Sequence, residues 1–195
     1  MALTIGCDVN QFVGSHGKSN EKKHRQLRAL GADLVTIPLP VGDYCLIDEH
    51  VQSIIDRRGS KLKKIDLIGS LSMVIDTKKD LLEVCSNICS SSHNRFRDEL
   101  ILAQENNIKM YVLVEESGIS EVRDVFKWVN PRLWWYRAQV KKGRAPKSPP
   151  VSGQTLAKAM LTCSHKYGVT WLFCDKEYTG EYIIKILEWG SIKDG

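Results

Sequence analysis

The chain has 195 residues, of which 43% are hydrophobic and 26% charged, and its net charge at neutral pH is +5. These values are typical of one globular domain with a substantial core. The sequence predicts no membrane-spanning helix, because no apolar run reaches about 18 residues. A mildly basic charge permits a polyanionic partner but does not require one.

The cellular compartment follows from the N-terminus and the cysteines. The first residues carry neither a charged n-region nor an apolar h-region, so we predict no signal peptide. Six cysteines in a chain of this length, without a secretory signal, indicate reduced intracellular thiols. We therefore expect a cytoplasmic protein with no membrane association.

Most elements predicted in the first half of the chain are strands. Glycine and apolar patterns predict a strand at 3–9, a loop at 10–20 and a helix at 21–30 with Asn20 as N-cap. They then predict strands at 34–38 and 41–47, a strand pair at 51–55 and 62–68 joined by a basic turn, and a strand at 71–76. We expect these consecutive strands to pair as an antiparallel meander.

The second half alternates helices with strands. Its patterns predict helices at 80–90 and 94–106, a strand at 109–114, a partly helical stretch at 120–137, a loop at 141–150, a helix from Ser152 to Tyr167, a strand at 169–174 and a helix at 180–189. The order strand, helix, strand from residue 71 to residue 114 predicts a crossover connection and therefore a parallel pair of strands. Since no repeat or long linker is present, we expect a single α/β domain.

The strand at 71–76 ends in an acid that a lysine follows two residues later. Asp76 and Lys78 lie on the same face, because successive strand side chains point to opposite faces. A second acid, Asp43, begins a predicted strand after a glycine, and Asp8 ends the first strand. Two or three strands connected by hairpins can bring Asp43 close to Asp76 in the fold.

Such a cluster of acids suits a divalent metal ion. Mg²⁺ prefers oxygen ligands and retains several waters, so two carboxylates, a main-chain carbonyl and a substrate phosphate suffice. The metal lowers the pKa of a bound water, and Lys78 is placed to stabilise charge on the phosphate or to steer the water. Acid-x-Lys triplets are common, and by spacing alone a solvated strand end is the simpler interpretation of Asp76 and Lys78.

Four spaced motifs resemble the XPF-type nuclease domain, a branch of the restriction-endonuclease-like PD-(D/E)xK nucleases. They are Asp8, the stretch 39–44 around Asp43, the stretch 74–78 that holds Asp76 and Lys78, and the stretch 93–100. The resemblance covers about residues 3 to 116. It implies a restriction-endonuclease-like mixed central sheet flanked by helices, with a nuclease core at 1–118 and a C-terminal extension at 119–195 packed on the same domain.

The resemblance also implies roles for these residues. Asp43 and Asp76 become metal ligands, Lys78 a catalytic cation and Asp8 a further acid of the metal site, with Mg²⁺ or Mn²⁺ as cofactor. The sequence departs from the family pattern at Asn10, at Thr77 and around Asp80, where either Asp80 or Glu83 stands for a further acid.

The implied activity is cleavage of branched or flapped DNA by a homodimer or by a dimer with a related subunit. Residues 117–195 contain no paired Gly-x-Gly hairpin. We therefore expect a compact form without a helix-hairpin-helix module, as in phage or bacterial accessory nucleases.

Basic residues outside this cluster are candidate DNA contacts. Arg95 and Arg97 begin the helix at 94–106, and arginine offers a bidentate fork to phosphate. The other candidates are Lys79, Arg58 and Lys61 of the basic turn, and Lys141, Lys142, Arg144 and Lys147, which follow the aromatic residues 134–136. For both basic segments, a solvated surface is the alternative interpretation.

Two other function classes compete with an active nuclease. A catalytically inactive DNA-binding or scaffold subunit is disfavoured by the presence of Asp43, Asp76 and Lys78 together. A protein-interaction domain that uses the aromatic segment would lack salt-dependent affinity for DNA. A zinc site at Cys85, Cys89 and His93 lacks a fourth ligand, so we interpret these thiols as core residues.

Overall fold

A computed structural model describes residues 3–12, 14–90, 93–144 and 148–193, and it describes side chains in these ranges except at 14–19 and 190–193. The strands are β1 (Thr4–Asp8), β2 (Asp33–Ile37), β3 (Tyr44–Leu46), β4 (Met73–Lys78), β5 (Lys109–Glu115) and β6 (Thr170–Cys174). The helices are α1 (Gly14–Ala29), α2 (Glu49–Arg58), α3 (Leu81–Ile88), α4 (Asn94–Glu105), α5 (Val122–Val125), α6 (Arg132–Lys141), α7 (Gly153–Tyr167) and α8 (Thr179–Lys193). Short 3-10 turns cover Val9–Phe12, Gly59–Lys61 and Lys64–Leu67.

The strands form one mixed sheet in the order β2-β1-β3-β4-β5-β6. Strands β4, β5 and β6 run parallel, and β3 is antiparallel to both of its neighbours, β1 and β4. The predicted α/β class, a mixed central sheet flanked by helices, is confirmed. The predicted antiparallel meander is wrong for the first three strands, because α1 crosses over and makes β2 parallel to β1, and because β1 lies between β2 and β3 in the sheet.

Helices cover both faces of the sheet. Apolar side chains of α1 and α8, among them Leu27 and Ile183, form one core with Ile75 of β4. Side chains of α2, α3, α4 and α7 form the other core with Val74. The alternation along β4 therefore directs Asp76 to the face that carries Val74, and Thr77 to the face that carries Ile75.

The predicted strand pair at 51–55 and 62–68 is wrong. Residues 49–58 form α2, and 3-10 turns follow it. The side chain of Asp48 caps this helix by accepting a hydrogen bond from the Val51 amide at 2.8 Å, and Val51 and Ile54 are buried on one face. Apolar residues three apart with an aspartate before them are a helical signal.

The predicted loop at 10–20 is also wrong, because α1 begins at Gly14. Asn20 is not the N-cap of this helix but a buried residue inside it, whose side-chain amide donates to the side chain of Gln11. Tertiary contact thus uses the amide that the sequence suggested for capping.

The remaining predicted elements are confirmed within a few residues. Ser152 caps α7 by accepting from the Thr155 amide at 3.2 Å, and Gly168 ends it in the left-handed conformation. The predicted loop at 141–150 falls partly on residues 145–147, which lie outside the described ranges. Among the described residues, no helix is long and apolar enough to cross a membrane.

Gly42 is constrained both by its backbone and by its neighbours. Its φ is +72°, and an added Cβ would lie 3.2 Å from the Ile75 carbonyl oxygen and 3.0 Å from Val74 Cβ. We expect Gly42→Ala to lower the free energy of unfolding by more than the roughly 1–2 kcal/mol that a left-handed alanine costs. Urea unfolding measures this change.

Gly31→Ala is the matched control. Gly31 has a φ of +86°, but an added Cβ would have nothing within 4 Å. Equal losses of stability in the two variants would show that crowding against β4 contributes nothing.

Candidate active site

The main chain of Asp43 joins the two strands that carry the other acids. Its amide donates to the Ile75 carbonyl at 2.8 Å, and its carbonyl accepts from the Asp8 amide at 2.9 Å. Asp43 therefore lies between the end of β1 and the end of β4. This pairing brings together three acids that are distant in sequence.

The carboxylate of Asp43 is held by hydrogen bonds on both oxygens. Oδ2 accepts from the Thr77 amide at 2.7 Å and from the Thr77 hydroxyl at 2.6 Å. Oδ1 accepts from the Gln11 side-chain amide at 2.6 Å. Because each carboxylate oxygen has two lone pairs, these bonds fix the orientation of the group and leave acceptor capacity.

Asp76 and Lys78 form a buried ion pair. Lys78 Nζ lies 2.6 Å from Asp76 Oδ2 and 4.9 Å from the centre of the Phe96 ring. Apart from this ion pair, Asp76 Oδ2 has no hydrogen-bond partner among the described residues. The pair thus presents one carboxylate oxygen whose hydrogen bonding is incomplete.

Burial acts on both members of this pair. It raises the pKa of Asp76 to about 7, against the lowering effect of the Lys78 ammonium. It lowers the pKa of Lys78, but the carboxylates of Asp76 and Asp43 outweigh burial and leave that pKa raised. Lys78 therefore stays a cation at neutral pH.

Asp8 holds the loops around the site. Its Oδ2 accepts from the amide of Asn10 at 3.1 Å and from the Asn10 side chain at 2.7 Å, and its Oδ1 accepts from the Leu39 amide at 3.1 Å. Asn10, which departs from the family pattern, is thus a direct partner of Asp8. Asp8 itself is buried.

A groove of about 930 Å³ passes over these residues. Of the residues predicted from sequence, it is lined by Asp8, Asp43, Asp76, Lys78, Lys79 and Arg95. The predicted cluster of three acids and a lysine therefore does share one groove. Asp80 and Glu83 also line it, but Asp80 caps α3 through the Glu83 amide, and Glu83 accepts from the Lys79 amide.

Other predicted DNA contacts lie away from this groove. The described residues that line the groove do not include Arg97, Arg58 or Lys61. Arg97 pairs with Asp98 at 3.2 Å, and Arg58 pairs with Asp66. Lys141, Lys142 and Arg144 are exposed at and beyond the end of α6, and Lys147 is outside the described residues.

Sequence reasoning missed Lys23, a buried lysine of α1. Its Nζ lies 3.1 Å from the Thr77 hydroxyl and 3.3 Å from Glu115 Oε1, and Thr179 donates to the same Glu115 oxygen. Lys23 thus supports Thr77, which in turn holds Asp43. A signal existed, because Lys23 precedes the buried Leu27 by four residues on the same helical face.

Further groove residues were also missed. They are Gln11, Asn20, Lys64, Glu99 and Arg132, together with Thr77, which had been noted only as a departure from the family pattern. Thr77 and Glu99 lie within the motif stretches 74–78 and 93–100, where the resemblance gives them no role, and the other four lie outside the four motifs. Their participation depends on tertiary contacts.

The donor set fits a divalent cation that prefers oxygen. In the described part of the chain, no three His, Cys, Asp or Glu residues come together as a metal cluster. Asp43 and Asp76 would be the carboxylates that hold such an ion, with waters and a phosphate to complete the shell, as Mg²⁺ commonly accepts. The incompletely hydrogen-bonded Asp76 oxygen supports this fit.

Comparison with solved structures identifies the fold. The chain is similar to XPF from Aeropyrum pernix in complex with DNA, with a TM-score of 0.55 and 15% identity over 98% of this chain and 66% of that one. A second structure of XPF from Aeropyrum pernix has a TM-score of 0.56 and 15% identity over 96% of this chain and 65% of that one. The protein thus has the fold of an XPF-type nuclease domain, and it spans just under two thirds of the length of these relatives.

Comparison with protein families gives the membership. Residues 16–186 match the ERCC4 domain, so the chain belongs to the ERCC4 domain family, a family of DNA nucleases. The resemblance found in the sequence is confirmed. No curated protein sequence matches the chain.

The buried His24 makes stability depend on pH. Its Nε2 lies 3.2 Å from the Tyr44 hydroxyl, and its ring stacks on Phe12 at 4.4 Å. Burial, with the positive charges of Arg28 and Lys23, lowers its pKa to about 4. Since the unfolded state binds the proton near pH 6.5, stability is lost as the pH falls from about 6.5 towards 4.

We expect His24→Gln to reduce the loss of stability between pH 7 and pH 5. Urea unfolding of both proteins at both pH values measures it. The raised pKa of Asp76 has the opposite effect, since it adds stability as the pH falls, but this contribution is present in both proteins, so the difference between them isolates His24. An identical pH dependence would contradict a neutral buried His24.

Proposed function

We propose that the protein is a metal-dependent DNA endonuclease that hydrolyses phosphodiester bonds in branched or flapped DNA. The observation that carries this proposal is the meeting of Asp8, Asp43, Asp76 and Lys78 in one groove of an ERCC4-family domain. The six free cysteines support the prediction that it acts in the cytoplasm.

In this proposal, Asp43 and Asp76 hold Mg²⁺ or Mn²⁺, and Asp8 assists from the end of β1. When bound, the metal supplies an activated water and stabilises charge on the phosphate. Thr77 and Gln11 keep the Asp43 oxygens in a fixed orientation. That order is present before substrate binds, which reduces the cost of reorganisation.

The cations of the groove act on the substrate. Lys78 is a buried ammonium beside Asp76, so its charge is poorly screened by water and suited to stabilising the transition state. Arg95 lines the same groove and can bind a backbone phosphate through its guanidinium. Lys79 and Arg132 add positive charge along its length.

A dimer forms part of the proposal. The family resemblance favours a homodimer or a dimer with a related subunit. Sedimentation velocity measures the oligomeric state of the purified chain.

The alternative to an active nuclease is a catalytically inactive scaffold subunit, which predicts DNA binding without cleavage.

We expect Asp76→Asn to lower the rate of DNA cleavage by at least about 100-fold, the order expected for loss of one preorganised electrostatic group. Binding to the same DNA should remain largely intact, since Asp76 is buried. Cleavage of flap, fork, junction, single-stranded and duplex DNAs is measured with Mg²⁺, Mn²⁺ or EDTA.

Glu105→Gln is the control for this experiment. Glu105 is an exposed acid at the end of α4, outside the residues that line the groove. It removes the same charge without touching the site and should leave the rate unchanged. Full cleavage by Asp76→Asn would exclude Asp76 from the site.

The basic segment after the aromatic residues is expected to bind phosphates. Replacing Lys141, Lys142 and Arg144 with Ala should reduce the slope of log K against log salt by about 3, one unit for each lost phosphate contact. DNA binding measured by fluorescence anisotropy at several salt concentrations gives this slope.

The matched control removes three exposed lysines elsewhere: Lys109, Lys176 and Lys185. These residues lie outside the groove lining and outside the basic segment. If both triple variants change the slope equally, or neither does, the basic segment has no specific contact with DNA.

A further inference from the structure

A second groove, of about 450 Å³, adjoins the first. Leu82, Ser86 and Arg132 line both. One wall of this groove is α3 and the residues after it, and the other is formed by α6 and residues 148–151. We call it the α3–α6 groove. Because the two grooves share residues, a chain of nucleotides in the active-site groove can continue directly into it.

The walls of the α3–α6 groove are largely apolar and include two aromatic rings, those of Trp135 and Tyr136. Pro149 and Pro150 belong to the same wall. Asn130 joins the two parts of this wall, since its side chain donates to the Val151 carbonyl at 2.9 Å and accepts from the Arg132 amide at the start of α6 at 3.0 Å. This wall is thus held together by specific contacts.

Helix α6 has no buried residue. Trp135 is 53% exposed although it lines the groove, and its neighbour Trp134 is 79% exposed. Large aromatic side chains that remain accessible to water are stabilised when a flat apolar partner covers them. A nucleobase is such a partner, and stacking on aromatic side chains does not depend on base identity.

The charge of the segment that supplies the α6 wall of the groove favours the same partner. Residues 125–174 contain nine Lys and Arg and no Asp or Glu. Phosphates match this charge, but in a duplex the bases are stacked inside and cannot enter an apolar groove. Unpaired nucleotides offer flat rings and phosphates together, and they therefore match both properties of the groove.

We propose that the α3–α6 groove binds unpaired nucleobases of a single-stranded DNA arm that leaves the active-site groove past Arg132. Trp135 and Tyr136 stack on these bases. The proposal rests on the proposed nuclease function and adds the origin of its selectivity: the groove selects DNA whose strand is unpaired beside the scissile phosphate.

The test compares three DNAs with the full chain: a duplex with a single-stranded arm, the same molecule with abasic sites along the arm, and a blunt duplex. Affinities are measured by fluorescence anisotropy with Ca²⁺ in place of Mg²⁺. We expect wild-type protein to bind the normal arm roughly 5- to 100-fold more tightly than the abasic arm, as stacking of one base predicts.

Substitutions in α6 assign this difference to the groove. Trp135→Ala should remove the preference for the normal arm and leave affinity for blunt duplex unchanged, and Trp135→Phe should retain most of the preference. Trp134 lies on the same helix but not in the groove lining, so Trp134→Ala should behave as wild type.

Several outcomes would overturn the proposal. They are equal wild-type affinity for normal and abasic arms, an equal effect of Trp135→Ala on blunt duplex, and an effect of Trp134→Ala as large as that of Trp135→Ala. The comparison of arms needs only wild-type protein, so it stands even if a variant misfolds, which circular dichroism detects.

Cleavage assays separate this proposal from the nuclease function. If wild-type protein cleaves DNA with Mg²⁺ or Mn²⁺ but binds the normal and the abasic arm with equal affinity, the groove assignment alone is overturned. Wild-type protein that prefers the normal arm but cleaves nothing overturns the catalytic function and supports the groove assignment.

Discussion

The site depends on one residue whose main chain lies between two strands. Asp43 pairs through its carbonyl with Asp8 and through its amide with Ile75, so the three acids cannot separate without breaking the sheet. Gly42 makes this approach possible because its φ is positive and a side chain there would meet β4. Backbone pairing sets the positions, and the side chains of Thr77 and Gln11 set the orientation of the Asp43 carboxylate. The chemistry proposed for the groove is therefore built on sheet geometry.

The end of β4 carries buried charge on both faces of the sheet. Asp76 and Lys78 are paired on one face, and Lys23 and Glu115 meet beside Thr77 on the other. Removing ions from water costs several kcal/mol for each ion, and such pairs often add little net stability. Two buried pairs at one strand end are thus more readily explained by function than by folding. Lys23 is connected to Asp43 through Thr77, so in the proposed site it would act as a positioning residue.

Much of this arrangement was predictable from the sequence, and the rest depended on tertiary contacts. Strand β5 and helices α3, α4 and α7 follow from strong periodicity, and α7 also from its caps at Ser152 and Gly168. The acids and Lys78 follow from motif order. Helix α2 was missed because its apolar residues were interpreted as a strand, although Asp48 and the spacing of Val51 and Ile54 favour a helix. The spacing of Lys23 from Leu27 indicates only that Lys23 faces the core. The contacts by which Gln11 and Lys23 support the site have no local signal, since each acts on a residue far away in sequence.

The acid-free stretch 125–174 has a consequence for how the molecule meets its partner. The whole chain carries +5 and this stretch carries +9, so the remaining residues together carry −4. Positive charge is thus concentrated in one stretch of the chain rather than spread evenly along it. Where such charge gathers on one side of a protein, the field of a polyanion steers encounters towards one orientation. Salt then weakens the torque as well as the attraction, so the fraction of productive encounters should fall faster with ionic strength than net charge alone would suggest.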